Sequence, residues 1–259
     1  MQTRPFMLAK WYLDCVTVEG DAAIVYCTEM NWRGVHLRLC SILSRIGGNL
    51  RTRTSISPYR LNSDDGQISV ELAKLGVTGT WESDSLPFER VVYEQRAGSI
   101  RWNCLQPRSS AQVCIEDRVL RGLGYAESLT LSIMPWKLPL KQLRWGRFVS
   151  PQDSLAWVDW QGSYCTRFAV HGSRECTLLS VSDAEVTVPN AILRIEPGIP
   201  LRSGRLGETF LTDAPTLGKL FPHSLFNVIE RKWLCRAVLS TTDHSSAGWV
   251  IHEVVHWKT

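Results

Sequence analysis

Three carboxylates stand at strand positions otherwise taken by apolar side chains. Glu127 shares a two-residue spacing with Tyr125, Leu129, Leu131 and Ile133. Asp14 lies between Tyr12 and Val16, and Glu253 alternates in phase with Trp249, Ile251, Val255 and Trp257. A carboxyl group among apolar neighbours loses solvation of its charged form, so it keeps its proton closer to neutral pH and can act as a general acid. The alternative for each is structural: a buried ion pair with Arg144, Arg147, Arg194, Arg231 or Arg236. Glu127, assisted by Tyr125 and Asp14 as hydrogen-bond donor and relay, forms the candidate catalytic set.

The 11 tryptophans are the unusual count in the composition. They fit either an aromatic core or a wide cavity for an apolar ligand, where ring faces can stabilise a cationic intermediate. Trp11, Trp145, Trp157, Trp160 and Trp249, with Arg147 and Glu253, are the candidate substrate-binding residues.

Other chemistries lack their signatures. There is no G-x-S-x-G, no P-loop, and no G-x-G-x-x-G opening a helix; Gly122 and Gly124 lead into a strand instead. His252 and His256, four apart on a strand, would lie about 13 Å apart, too far to share one metal ion. The 8 cysteines form no C-x-x-C pair and read as reduced, buried thiols. No metal site and no cofactor are therefore expected. Net charge is +4 with dispersed basic residues, so no nucleic-acid partner is expected. The first fifteen residues lack a signal-peptide pattern and no apolar run spans a membrane, which gives a cytoplasmic expectation.

The elements that must position these residues are strands. Apolar alternation over 8–16 and 22–30 flanks Glu19-Gly20-Asp21, which predicts a hairpin. Further strands are expected at 35–39, 50–56, 68–72, 77–81, 89–95, 100–105 and 113–120. A Gly-rich turn at 122–124 then leads into the Glu127 strand. The stretch 121–148 ends in a Pro-broken crossing and Arg144-Trp145-Gly146-Arg147, and reads as the seam between two β-domains, 1–121 and 122–259. Beyond it, strands are expected at 148–149, 155–160, 164–170, 176–181, 191–195, 209–211, 228–239 and 248–258, with one helical turn over 215–226. Short strands at this spacing, without helical periodicity, predict an all-β chain of antiparallel barrels or sandwiches.

The seam also carries a resemblance. Gly122-Leu123-Gly124-Tyr125-Ala126-Glu127 and Leu143-Arg144-Trp145-Gly146-Arg147-Phe148 resemble the junction of carotenoid 1,2-hydratase-like (hydroxyneurosporene synthase-like) and AttH-like proteins. Trp11-Tyr12-Leu13-Asp14, Ala156-Trp157-Val158-Asp159-Trp160 and Gly248-Trp249 support the likeness. The resemblance implies two lipocalin-like antiparallel β-barrel domains packed against each other, with a pocket near their interface. It places Gly122, Gly124, Tyr125 and Glu127 on the family's G-x-G-Y-x-[DE] motif, with Glu127 as the acid. The hydratase-type motif flanks its acid with histidines, whereas here the neighbours are Ala126 and Ser128.

The expectation is a cofactor-independent enzyme, a cyclase, isomerase or hydratase (lyase) of terpenoid or polyene secondary metabolism, using acid assistance on a hydrophobic small molecule. A pericyclase of the Diels-Alderase type that mainly templates its substrate, or a non-catalytic lipid- or pigment-binding protein, is the alternative.

Overall fold

A computed structural model describes residues 6–83, 85–205 and 228–257. These residues build two compact units that divide between Leu138 and Pro139. The first contains β1 (Met7–Val16), β2 (Ala22–Trp32), β3 (Val35–Ile46), β4 (Asn49–Ser55), β5 (Arg60–Asp64), β6 (Gln67–Leu72), β7 (Val77–Ser83), β8 (Phe88–Gln95), β9 (Gly98–Ile115) and β10 (Arg118–Leu131). The second contains β11 (Leu140–Val149), β12 (Ser154–Gly162), β13 (Thr166–His171), β14 (Arg174–Cys176), β15 (Ser180–Val181), β16 (Glu185–Val188), β17 (Ala191–Ile195), β18 (Ile199–Arg205), β19 (Ile229–Thr241) and β20 (Ser245–His256). The chain is all-β, as the alternation predicts; the only helical turns among the described residues are the 3-10 turns Ala73–Leu75 and Pro135–Lys137. No helix among them is long and apolar enough to cross a membrane. The expected strand at 209–211 and helical turn over 215–226 lie outside the described residues.

Each unit is one ten-stranded antiparallel sheet. The first runs β4-β3-β2-β1-β10-β9-β7-β6-β5, with β8 added to β9; the second runs β14-β13-β12-β11-β20-β19-β17-β16-β15, with β18 added to β19. The two orders correspond strand for strand, and each joins its first strand to its last. In the first sheet, Leu13, Val25, Ile42, Val70, Val113 and Ala126 share one core cluster. Strands from across the sheet thus meet on one side, which requires the sheet to curl around its own interior. The second does the same around Phe148, Trp157, Val186, Leu193, Leu239 and Val250. Both are lipocalin-like barrels.

Three local expectations change. Gly122 and Gly124 are not a turn; they sit inside β10, and the chain turns at Glu116, which has φ 55°. Gly124 is there for space, because an added Cβ would lie 2.7 Å from Trp81 Cδ1, from Ala111 Cβ and from the Asp14 carbonyl oxygen. The indole that occupies this room donates from Nε1 to that same carbonyl at 2.6 Å. Residues 100–105 and 113–115 form one strand, β9, which passes through Pro107 at an irregular stretch where a residue without an N–H is tolerated. The division at 121/122 falls inside β10, so Glu127 belongs to the first sheet.

Candidate functional site

Antiparallel registers show what shares a face with Glu127. On β1, Tyr12 stands opposite Glu127 and Asp14 opposite Tyr125. On β2, Tyr26 pairs with Tyr12, and on β9, Cys104 pairs with Glu127. The aliphatic core lies on the other side of these strands, with Leu13, Cys15 and Ala126. The carboxylate phase is therefore not the core phase, contrary to the simple reading of the alternation. Both faces are nonetheless buried: Tyr12, Asp14, Tyr26 and Tyr125 have at most 3% exposure, and Glu127 is half-buried. One face is aliphatic; the other is aromatic and polar.

β9 departs from regular pairing at this point. Its register against β10 passes from Ser109↔Gly124 to Gln106↔Ala126 to Cys104↔Glu127, which gives β9 one extra residue at each step. Such bulges re-aim side chains and recur next to functional sites. Here they turn Gln106 to the core side and return Cys104 and Trp102 to the Glu127 face.

The result is a short, donor-rich constellation. Tyr125 Oη donates to Glu127 Oε2 at 2.7 Å, and Trp102 Nε1 donates to the same oxygen at 2.6 Å. Trp102 is 2% exposed and packs edge-on against Phe88, with ring centroids 6.0 Å apart. Tyr12 meets Tyr26 at 5.5 Å and Tyr125 at 6.1 Å, both edge-to-face. Burial, then the neighbouring Cys104 and Glu127, push the Tyr125 hydroxyl well above the ordinary tyrosine range, so it stays a donor. Burial likewise pushes the Cys104 thiol up and keeps it protonated. The fold brings the sequence candidates Glu127, Tyr125 and Asp14 onto one face, and adds Trp102, whose register against β10 is set by the two bulges between it and the hairpin turn.

The substrate-binding candidates fall differently. Trp11 lies on the opposite side of β1, packed against the first core. Trp157 is part of the second core and lies against Gly146, where an added Cβ would come within 2.6 Å of Cε2. The Arg147 side chain is 1% exposed and donates to the Trp249 carbonyl at 2.8 Å. Arg236 stacks over the Trp249 ring at 4.2 Å, and Trp160 meets Tyr164 edge-on at 6.4 Å. Glu253 is held by a lysine rather than an arginine: Lys232 Nζ lies 2.6 Å from its Oε2 and 3.5 Å from Glu230 Oε1, while Arg202 reaches Glu230 at 3.3 Å. Lys232 also sits 5.8 Å from the Trp145 ring centre.

The shared strand order makes this contrast informative. Tyr12 is the sixth residue of ten-residue β1 and faces Glu127; Trp145 is the sixth of ten-residue β11 and faces Glu253. On the neighbouring strand the first sheet places Cys104 and Trp102, and the second places Lys232 and Glu230. Trp102 and Tyr125 donate to the first carboxyl group, and the Lys232 ammonium meets the second. Of the thiols, Cys165 is exposed and Cys114 and Cys176 are half-buried, so the expectation of uniformly buried cysteines holds for the other five. A groove of about 410 Å³ lined by Arg60, Glu71, Thr80 and Gln112 lies apart from Glu127.

A two-sheet lipocalin-like chain with a half-buried, donor-bound carboxyl group is the class that fold and candidate site define. No family model and no curated protein matches the chain. Solved structures do. A putative AttH from Nitrosomonas europaea is similar over 98% of this chain and 93% of its own, with TM-score 0.60 and 9% identity. CghA, solved with Sch210972, is similar over 98% and 89%, with TM-score 0.63 and 8% identity. Kievitone hydratase from Nectria haematococca is similar over 97% and 89%, with TM-score 0.56 and 8% identity. At such identities the likeness establishes the shared fold.

Proposed function

We propose that the chain is a cofactor-independent enzyme that cyclises, isomerises or hydrates a hydrophobic unsaturated metabolite of terpenoid or polyene type, with Glu127 as the acid. The observation that carries this reading is the pair of neutral donors, Tyr125 and Trp102, converging on one oxygen of a half-buried carboxyl group within an aromatic face. Kievitone hydratase and CghA share the fold, which supports a hydratase- or cyclase-type activity.

In this mechanism the protonated Glu127 transfers its proton to an alkene carbon. The O–H bond breaks, a C–H bond forms from the alkene electron pair, and a carbocation and a carboxylate remain. The two donors stabilise the carboxylate as it forms, a contribution made mainly when charge develops. Tyr12, Tyr26 and Tyr125 present rings suited to a cationic intermediate, and Asp14 stands beside Tyr125 to orient it. The cation is consumed by attack of a second alkene, by water, or by loss of a neighbouring proton.

Glu127→Gln keeps the shape and removes the acid. In a cell making the native metabolite, the expected outcome is accumulation of an acyclic or unhydrated precursor. Unchanged product would refute acid catalysis and favour conformational templating or carriage.

A further inference from the structure

We propose that Trp102 is a positioning residue for Glu127, fixing Oε2 and with it the orientation of the acid. The inference rests on the acid role proposed above. It starts from the two hydrogen bonds on Oε2, 2.6 Å from Trp102 Nε1 and 2.7 Å from Tyr125 Oη. Two such bonds on one oxygen set the plane and direction of the carboxyl group.

The two donors differ in what they can do. A phenol can donate or accept, and its hydroxyl rotates; an indole N–H only donates, in a direction set by the ring. Tyr125 approaches from the same strand as Glu127, two residues away, and follows any movement of β10. Trp102 approaches from β9, where it pairs with Leu129, and reaches diagonally to the carboxyl group. Its ring is 2% exposed and braced edge-on by Phe88. The two bulges in β9 cancel in phase and together shift the register by two residues, which brings the indole within reach of Glu127. Trp102 is thus the fixed reference of the constellation, and Tyr125 the adjustable one.

The test replaces Trp102 with β-(3-benzothienyl)alanine through a reassigned codon. Sulfur takes the place of the N–H, and ring shape is otherwise retained. If Trp102 served only packing, this variant would behave as the parent. As a positioning residue it should slow product formation about 10- to 100-fold, the range for losing a hydrogen bond to a charged group. The second readout is the ¹⁵N–¹H spectrum of the tryptophan indoles, with the Trp102 signal identified by its absence in Trp102→Phe. That signal should move in Glu127→Gln while the other indole signals stay in place. An unmoved Trp102 signal, or a parent-like rate in the benzothienyl variant when Glu127→Gln is inactive, overturns the inference. A Glu127→Gln protein with unchanged product refutes the acid role instead, and the indole signal then still decides whether Trp102 holds the carboxyl group.

Discussion

Replacing Lys232 with methionine tests whether Glu253 is structural. Lys232 is 2% exposed, and its ammonium lies 2.6 Å from Glu253 and 3.5 Å from Glu230. The side chains of those acids are 16% and 8% exposed, so water cannot replace the lost cation fully. Removing one partner of a buried ion pair costs about 3–5 kcal/mol, mostly because the remaining charge stays desolvated. Glu230 keeps Arg202 at 3.3 Å, which places the expected loss near the lower end, about 3 kcal/mol. Methionine retains an apolar stem against Trp145, so packing contributes little. For a unit of this size such a loss lowers the melting temperature by about 10–15 °C. The companion is Lys232→Met with Glu253→Leu, which removes both charges and should recover to within about 1 kcal/mol of the parent. Urea denaturation of the parent, both single variants and the double variant closes the cycle. A Lys232→Met protein within about 0.5 kcal/mol of the parent, or a double variant as unstable as the sum of the singles, would refute the argument.

Two further outcomes follow from other parts of the molecule. Burial, with Arg144 adding to it and Asp183 opposing, pushes His252 down to about 4, so the folded protein holds it neutral. The unfolded chain protonates near pH 6.5, so stability is full above that pH and declines by about 3 kcal/mol as pH falls toward 4. His252→Phe should flatten this acid limb in urea midpoints measured from pH 7 to 4; an unchanged slope would reject the assignment. Gly124→Ala should cost about 2–3 kcal/mol, because the new methyl group meets Trp81, Ala111 and the Asp14 carbonyl together. Thermal unfolding should show Trp81→Phe suppressing part of that cost in the double variant, and a neutral Gly124→Ala would mean the backbone gives way freely.

Much of the first sheet is legible in the sequence. The β1–β2 hairpin follows from alternation around Glu19-Gly20-Asp21, and Glu127 draws notice because a carboxylate sits in phase with Leu129 and Leu131. Where the reading fails, a side chain's meaning depends on a partner distant in sequence. Gly122 and Gly124 look like a turn because glycine usually marks one; here Gly124 clears space for Trp81, whose ring arrives from β7. The gap expected between the strands at 100–105 and 113–120 contains Pro107, and an irregular stretch of β9 accommodates it. Trp102 is invisible as a partner of Glu127 because the contact exists only once two extra residues in β9 are counted. Arg147 and Glu253 carry the right chemistry for a site, but a carbonyl and a lysine occupy them.

The matching strand orders have an evolutionary consequence. Each sheet pairs its first strand with its last, and among the described residues no strand of one pairs into the other. Substitutions in one half can therefore accumulate without disturbing the backbone ladder of its twin. Indole and phenol donors meet Glu127 in one sheet and an ammonium meets Glu253 at the matching register of the other, so the surroundings of the two acids can be altered separately.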